Sequence, residues 1–107
     1  MANVDDVIKL VKMGVGELAT KTLGGFLAEA ESDAVRFLQS AQVDIQKWMI
    51  QLAAGELDGD DFADLLAGEK DLAQLQLLKA KGIAQIKLDQ FTNGLLDLVT
   101  KSVLSVI

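Results

Sequence analysis

The sequence predicts an all-α fold, and three observations lead to this prediction. Apolar residues recur every eleven positions, which corresponds to three turns of α-helix at about 3.67 residues per turn. The longest such row is Val4, Val15, Phe26, Phe37 and Trp48. The 107 residues include no proline and only 5% aromatic residues, a composition that favours helices over strands. Half of the residues are apolar, so the chain has a large hydrophobic surface to bury.

Residues 3–23 are expected to form the first amphipathic helix. Asn3 is a suitable N-cap, and Asp5 and Asp6 lie in the first turn, where negative charge interacts favourably with the helix dipole. The apolar face consists of Val4, Ile8, Val11, Val15 and Leu18. This face predicts a helix with one side packed against the rest of the fold.

The glycine pair Gly24-Gly25 leaves two interpretations open. A glycine pair is typical of a C-cap followed by a tight turn, which would fold the first helix back on the second. However, the eleven-residue rows continue across the pair without a change of phase, since Phe26 comes eleven positions after Val15. This continuity favours one continuous or kinked helix over residues 3–54, with the hairpin turn as the alternative.

The strongest helical pattern covers residues 26–54, where steps of three and four keep one face apolar and polar residues such as Asp33 are expected on the other faces. Gly55 ends this helix. In the acidic connector that follows, Asp60 is expected to cap a short helix over residues 61–67.

Residues 69–106 are expected to form the last long helix. Its apolar residues are about 3.7 positions apart, a spacing typical of a straight to slightly right-handed supercoil rather than a heptad coiled coil. The connector allows this helix to pack antiparallel to the helix over 26–54. A two-helix hairpin leaves part of each apolar stripe in water. We therefore expect a single domain over 1–107, an antiparallel helical bundle completed by oligomerisation.

The residue inventory argues against most catalytic chemistry. The chain contains neither histidine nor cysteine, so it lacks the usual triads and the ordinary zinc ligands. The only metal candidates are Asp58, Asp60 and Glu69, which match three positions of a calcium loop of the EF-hand type. Phe62 and Ala63 interrupt that pattern, so we interpret the acidic residues as solvated caps. We expect no catalytic residue, no metal and no cofactor.

Charge and hydropathy narrow the range of partners. The net charge of −6 argues against nucleic acid, which binds proteins through basic groups. No apolar run is long enough to span a bilayer as a helix. Asp5 and Asp6 lie where a secretory signal needs positive charge. The expected location is therefore the cytoplasm.

These observations predict a non-enzymatic structural or interaction protein that forms a homodimer or tetramer. The self-association is expected to use the apolar stripe, which makes the second chain the missing half of the core. The candidate packing and interface residues are Val15, Phe26, Phe37, Trp48, Leu77, Leu88, Phe91 and Leu95.

Two alternative functions remain open. Eleven-residue amphipathic repeats with glycine and threonine on the polar side resemble, in period alone, those of exchangeable lipid-surface proteins. That resemblance implies binding to a membrane surface without spanning it. The second alternative is a small adaptor or inhibitor that binds one protein partner through an exposed patch.

Overall fold

The computed structural model describes residues 3–107, and this part of the chain folds into helices without any strand. The helices are α1 (Val4–Leu23), α2 (Leu27–Ser40), α3 (Gln42–Ala53), α4 (Gly59–Ala67), α5 (Gln76–Ala80) and α6 (Gln85–Val106), with a 3₁₀ turn at Lys70–Leu72. The predicted all-α class is confirmed. Within the same residues, no helix has both the length and the apolar character needed to cross a bilayer.

A reciprocal capping box starts α1. The Asn3 side chain accepts a hydrogen bond of 3.2 Å from the Asp6 backbone N–H. The Asp6 carboxylate in turn accepts one of 3.1 Å from the Asn3 backbone N–H. Two of the backbone donors at the helix start are thereby satisfied. The face that α1 buries consists of Val4, Val7, Val11, Val15, Ala19 and Leu23.

The chain reverses direction after α1, and the continuous helix over residues 3–54 favoured by the sequence pattern is corrected here. Gly24, Gly25 and Phe26 have φ angles of 75°, 148° and 60°. These values are outside the right-handed helical region, and two of the three fall on glycines, which adopt them with little strain. The turn allows α2 to pack against α1. The apolar row does not stay on one buried face across the turn, because Phe26 is 40% exposed whereas Val15 and Phe37 are buried.

We expect Gly24→Ala to lower the free energy of unfolding by about 1–2 kcal/mol, because alanine is strained at positive φ. Gly16→Ala is the matched control, since Gly16 lies inside α1 with nothing within 4 Å of an added Cβ. The control should stabilise the protein by about 0.5–1 kcal/mol through helix propensity. Urea unfolding measures both effects. A Gly24→Ala variant as stable as the control would contradict the turn.

The other two long helices expected from the sequence are also interrupted. The helix over 26–54 is divided at Ala41, which has φ −97° and ψ 8° and separates α2 from α3. The segment 69–106 is broken at Leu75 and Gly82, with φ angles of 52° and 72°. At Ala41 the helical hydrogen bonds from the Ala41 N–H to the Phe37 carbonyl and from the Ile45 N–H to the Ala41 carbonyl persist, so α3 follows α2 at a kink. The positive φ angles at Leu75 and Gly82 interrupt the last segment more sharply.

The N-cap of α4 is Asp58 rather than the expected Asp60. The Asp58 carboxylate accepts a hydrogen bond of 2.8 Å from the Asp61 N–H, and Asp61 accepts one of 3.1 Å in return. The helix therefore begins at Gly59. Gly59 faces Leu104 near the end of α6, which places α4 beside the C-terminal part of that helix.

Helices α1 and α6 form the centre of the core and run in opposite directions. A Cβ added at Gly14 would lie 2.9 Å from a methyl carbon of Leu98. One turn further along α1, Leu18 lies over Gly94 in the same way. The two glycines remove side-chain bulk at these positions, so the leucines fill the space and the helices pack closely.

One chain covers its own apolar stripes. The radius of gyration is 13.3 Å, against about 13 Å expected for a compact domain of this length. The accessible surface is 5912 Å², against about 5,800 Å² expected for a folded monomer of this mass. One chain thus has the dimensions of a compact domain of this length. The expected homo-oligomer remains a prediction, and with the helices arranged as they are here it would use residues left at the surface.

Candidate interaction surface

Most of the predicted interface residues lie inside the chain. Val15, Phe37, Leu88, Phe91 and Leu95 are each at most 3% exposed. They belong to one continuous cluster of buried side chains. At these five positions the eleven-residue rows coincide with side chains that are buried in the core of the folded chain.

The other three predicted residues lie at or near the surface. Trp48 is partly buried and meets Phe62 edge-on, with ring centroids 6.1 Å apart and planes at 82°. Phe26 and Leu77 are 40% and 39% exposed. Two members of the predicted set are thus available for contact with another molecule.

Sequence reasoning named Phe26 and Leu77 but missed nine other exposed apolar residues, because periodicity selects the buried face of a helix. In the described part of the chain, eleven large apolar side chains are more than a third exposed: Met13, Phe26, Leu27, Val43, Ile50, Leu65, Leu72, Leu77, Ile86, Leu104 and Ile107. Their signal in the sequence is an apolar residue among polar neighbours on the outer face of a helix.

Three of these residues gather at one end of the molecule. The contacts of Leu18 with Gly94 and of Gly14 with Leu98 set the register between α1 and α6. Helix α1 ends at Leu23, which this register places level with residue 89, so the turn at residues 24–26 and the first turn of α6 lie at the same end of the helix pair. Phe26, Leu27 and Ile86, exposed by 40%, 49% and 68%, therefore lie at the same end. We call these three residues the turn-end surface.

The short helix α5 is held on α2 by a buried carboxylate. Asp33, only 3% exposed, accepts hydrogen bonds from the Leu77 N–H at 3.2 Å and the Leu78 N–H at 2.9 Å. Asp33 thus caps the start of α5 from another helix. We expected Asp33 on a polar face of its helix. No local pattern predicts its capping role, because the capped helix is 44 residues away in sequence.

Two exposed polar contacts fix the direction of α5. Arg36 donates a hydrogen bond of 2.7 Å to the Gln76 side chain. Lys81 lies 3.8 Å from Glu29 in a solvent-exposed ion pair. Because the chain advances from 76 to 81 while its partners step back from 36 to 29, α5 points towards the turn-end surface.

An open cleft of about 490 Å³ separates residues 70–79 from the first half of α6. Its walls are polar and include Lys79 on one side and Asp89 on the other. Asp89 accepts a hydrogen bond of 2.8 Å from Gln85 within α6. The cleft lies between two sets of packed helices. Helix α5 packs on α2, whereas α6 packs on α1 and α4.

The acidic residues proposed as weak metal ligands have other surroundings. Within residues 3–107, no group of three acidic side chains converges on a point that could hold a metal ion. Asp58 is occupied in the cap of α4. Glu69 lies beside Asp44 of α3, and the hydrogen bond between the two carboxyl groups is the main reason why the pKa of Glu69 is raised above 4.5. Desolvation and the negative charge of Asp44 raise it further.

The raised pKa of Glu69 predicts that the stability of the protein depends on pH. A raised pKa in the folded state means that the pair contributes most when Glu69 is protonated, and that this contribution is lost as the pH rises through the folded pKa. Glu69→Gln removes the repulsion and keeps a hydrogen-bond donor. We expect it to raise Tm at pH 7 and to leave Tm nearly unchanged at pH 3.5. Glu56→Gln, at an exposed position of the same connector, is the control. Equal shifts at both pH values would contradict the assignment.

Several hydroxyl groups act within their own helices. Each donates a hydrogen bond of 2.8–3.0 Å to the carbonyl oxygen four residues earlier. The five groups belong to Thr20, Thr22, Thr92, Thr100 and Ser102. Such bonds satisfy the hydroxyl group locally. These five residues therefore serve the helices in which they lie.

Taken together, the geometry offers a surface for contact. The buried carboxylate Asp33 is engaged in capping, and the turn-end surface is one of the apolar regions that the packing of the chain leaves exposed. Comparison with known proteins found no matching family model, no matching curated protein and no matching solved structure.

Proposed function

We propose that this chain is a non-enzymatic interaction protein that self-associates through the turn-end surface. The observation that carries the proposal is the exposure of Phe26, Leu27 and Ile86 together at one end of a fold whose core is already filled. Exposed apolar residues that cluster are typical of contact sites, whereas single ones are ordinary.

The distribution of charge supports a second copy as the occupant. The chain carries a net charge of −6, so two copies repel each other when their acidic parts meet. Gly59 lies within the acidic stretch 58–61 at the start of α4 and faces Leu104, near the end of α6 that is remote from the turn-end surface. The 18 residues from Ile86 to Leu104 correspond to about 27 Å of helix. Since charges are screened over about 8–10 Å, copies that meet end to end at the turn-end surface keep these regions apart.

Two-fold symmetry explains how a small patch can form an interface. In a two-fold dimer each patch contacts its own copy, so the apolar area is used twice. The patch is small, and the dimer should accordingly be weak, with a dissociation constant of roughly micromolar or above.

Light scattering after size exclusion tests this proposal. At concentrations from about 5 μM to 1 mM, the mass should rise from 11.5 kDa towards twice that value. Ile86→Glu should remain monomeric, because a charge at the centre of the patch would be buried without a partner. Val43→Glu is the matched control, since Val43 is 83% exposed on α3, and it should dimerise like the wild type.

A monomer at every concentration would contradict self-association and leave the two alternatives. Binding to vesicles of neutral phosphatidylcholine would then test the membrane-surface alternative. The wild-type protein should bind the vesicles, and Ile86→Glu should not. Absence of both dimer and vesicle binding would favour an adaptor or inhibitor that uses the same surface for another protein.

A further inference from the structure

The hinge between α5 and α6, residues 81–84, lies at the turn end of the molecule. Helix α5 points towards this end, as the pairs of Arg36 with Gln76 and of Glu29 with Lys81 show. Helix α6 starts there and runs away from it, alongside α1. If the hinge straightened, α6 would continue in the direction of α5 and leave its own core through the turn end.

The local sequence is compatible with a straight hinge. The row of Leu77, Leu88 and Val99 crosses it in phase, so a continuous helix would place Leu77 on the same face as Leu88, whereas in the folded chain Leu77 is 39% and Leu88 3% exposed. The N-cap of α6 is Ala84, which provides no side-chain hydrogen bond, and the first turn contains no acidic residue. A helix start without these features is weakly encoded. The turn depends on Gly82, which has φ 72°.

We infer that α6 is exchanged between two copies, so that α5 and α6 form one continuous helix and each α6 fills the core of the other copy. This inference rests on the proposed self-association, which brings two turn ends, and therefore two hinges, together. The groove vacated by one α6 fits the α6 of a second copy because the two helices are identical. Leu98 and Gly94 would meet Gly14 and Leu18 of the second copy with the same fit as within one chain.

The cleft beside α5 permits this exchange without loss of the α5 contacts. Because α5 is attached to α2 and is separated from α6 by the cleft of about 490 Å³, α6 can leave while Asp33 continues to cap α5. The exchange therefore changes only the four residues of the hinge and the identity of the chain that supplies α6.

The first test compares two glycines with nearly the same geometry. Gly82 and Gly55 have φ angles of 72° and 78°, and an added Cβ meets nothing within 4 Å at either position. Alanine disfavours both turns, but only at position 82 does a continuous helix offer an alternative in phase. After refolding at about 1 mM, we expect the dimerisation constant of Gly82→Ala to exceed that of Gly55→Ala by at least about 100-fold.

The second test shows which chain supplies α6. The protein has no cysteine, so a disulfide can form only between introduced residues. Leu18→Cys with Gly94→Cys is suitable, because the Cγ atom of Leu18 lies 3.5 Å from the position of a Cβ at 94. The pair is introduced into Gly82→Ala, refolded at about 1 mM and oxidised. The dimer fraction is then separated and denatured without reductant.

The outcomes distinguish this inference from the proposed function. A covalent dimer on the denaturing gel supports exchange of α6. A dimer fraction that denatures to monomers, each closed by its own disulfide, overturns the exchange and leaves self-association intact. A Gly82→Ala variant that dimerises no more than Gly55→Ala also overturns the exchange. Wild-type protein that is monomeric throughout contradicts the proposed self-association itself.

Discussion

Phe37→Ala is expected to lower the free energy of unfolding by about 3–5 kcal/mol. Phe37 lies on α2 and is 1% exposed. Its truncation removes a large apolar side chain from a continuous core and leaves a cavity that helices on several sides cannot fill by small movements. Urea unfolding at pH 7, followed by the fluorescence of Trp48, measures the change.

Phe26→Ala is the matched control for this prediction. Phe26 is 40% exposed and has φ 60°, so alanine keeps the backbone strain and loses only partial burial. We expect a loss below about 1 kcal/mol for the control. A loss of less than 1 kcal/mol at Phe37 as well would refute the assignment of this residue to the core. Phe26→Ala should also weaken the proposed dimer, because Phe26 belongs to the turn-end surface. Phe37→Ala should not weaken it directly, because Phe37 is buried.

Asp33→Ala is expected to lower the free energy of unfolding by about 2–4 kcal/mol. Its carboxylate accepts hydrogen bonds from the backbone N–H groups of Leu77 and Leu78 in a buried position. Alanine would leave the Leu78 N–H without a partner in a buried position and the Leu77 N–H without one in a partly buried position. The loss should concentrate in α5, because this helix has only five residues and is too short to persist without its cap.

Hydrogen exchange separates this local effect from general destabilisation. In Asp33→Ala the amides of Leu77 and Leu78 should lose protection, while the protection of amides in α1 should fall only by the global change in stability. Asp33→Asn retains one acceptor and should lose about half as much. Asp71→Ala removes an exposed carboxylate from the neighbouring 3₁₀ turn and should have little effect. Unchanged protection at Leu77 and Leu78 would show that the cap is unimportant.

Features that depend on neighbouring residues were predictable from the sequence. Asn3 and Asp6 are three positions apart, so the capping box that starts α1 is a local motif. The buried faces of α1 and α6 follow from spacing along one helix, as Val15 and Phe91 illustrate. The all-α class follows from the same periodicity and from the absence of proline and the scarcity of aromatic residues.

Features that depend on remote residues were not predictable. The end of α1 at Gly24 was one of two readings that the local pattern allowed, and packing of α2 on α1 selected the turn. The cap supplied by Asp33 joins positions 44 and 45 residues apart, and no spacing rule along the chain describes such a pair. The turn-end surface likewise exists only because the register of α1 against α6 places Phe26 and Ile86 at one end.

The residue order therefore specifies that this chain forms helices and which face of each becomes apolar core, because both properties arise from interactions within a few turns. Where the helices break was settled by folding of the whole chain. At Leu75 and Gly82 the local preference for a longer helix was overcome, since a single chain of this size covers more apolar surface with short helices that fold back than with long ones exposed along one side.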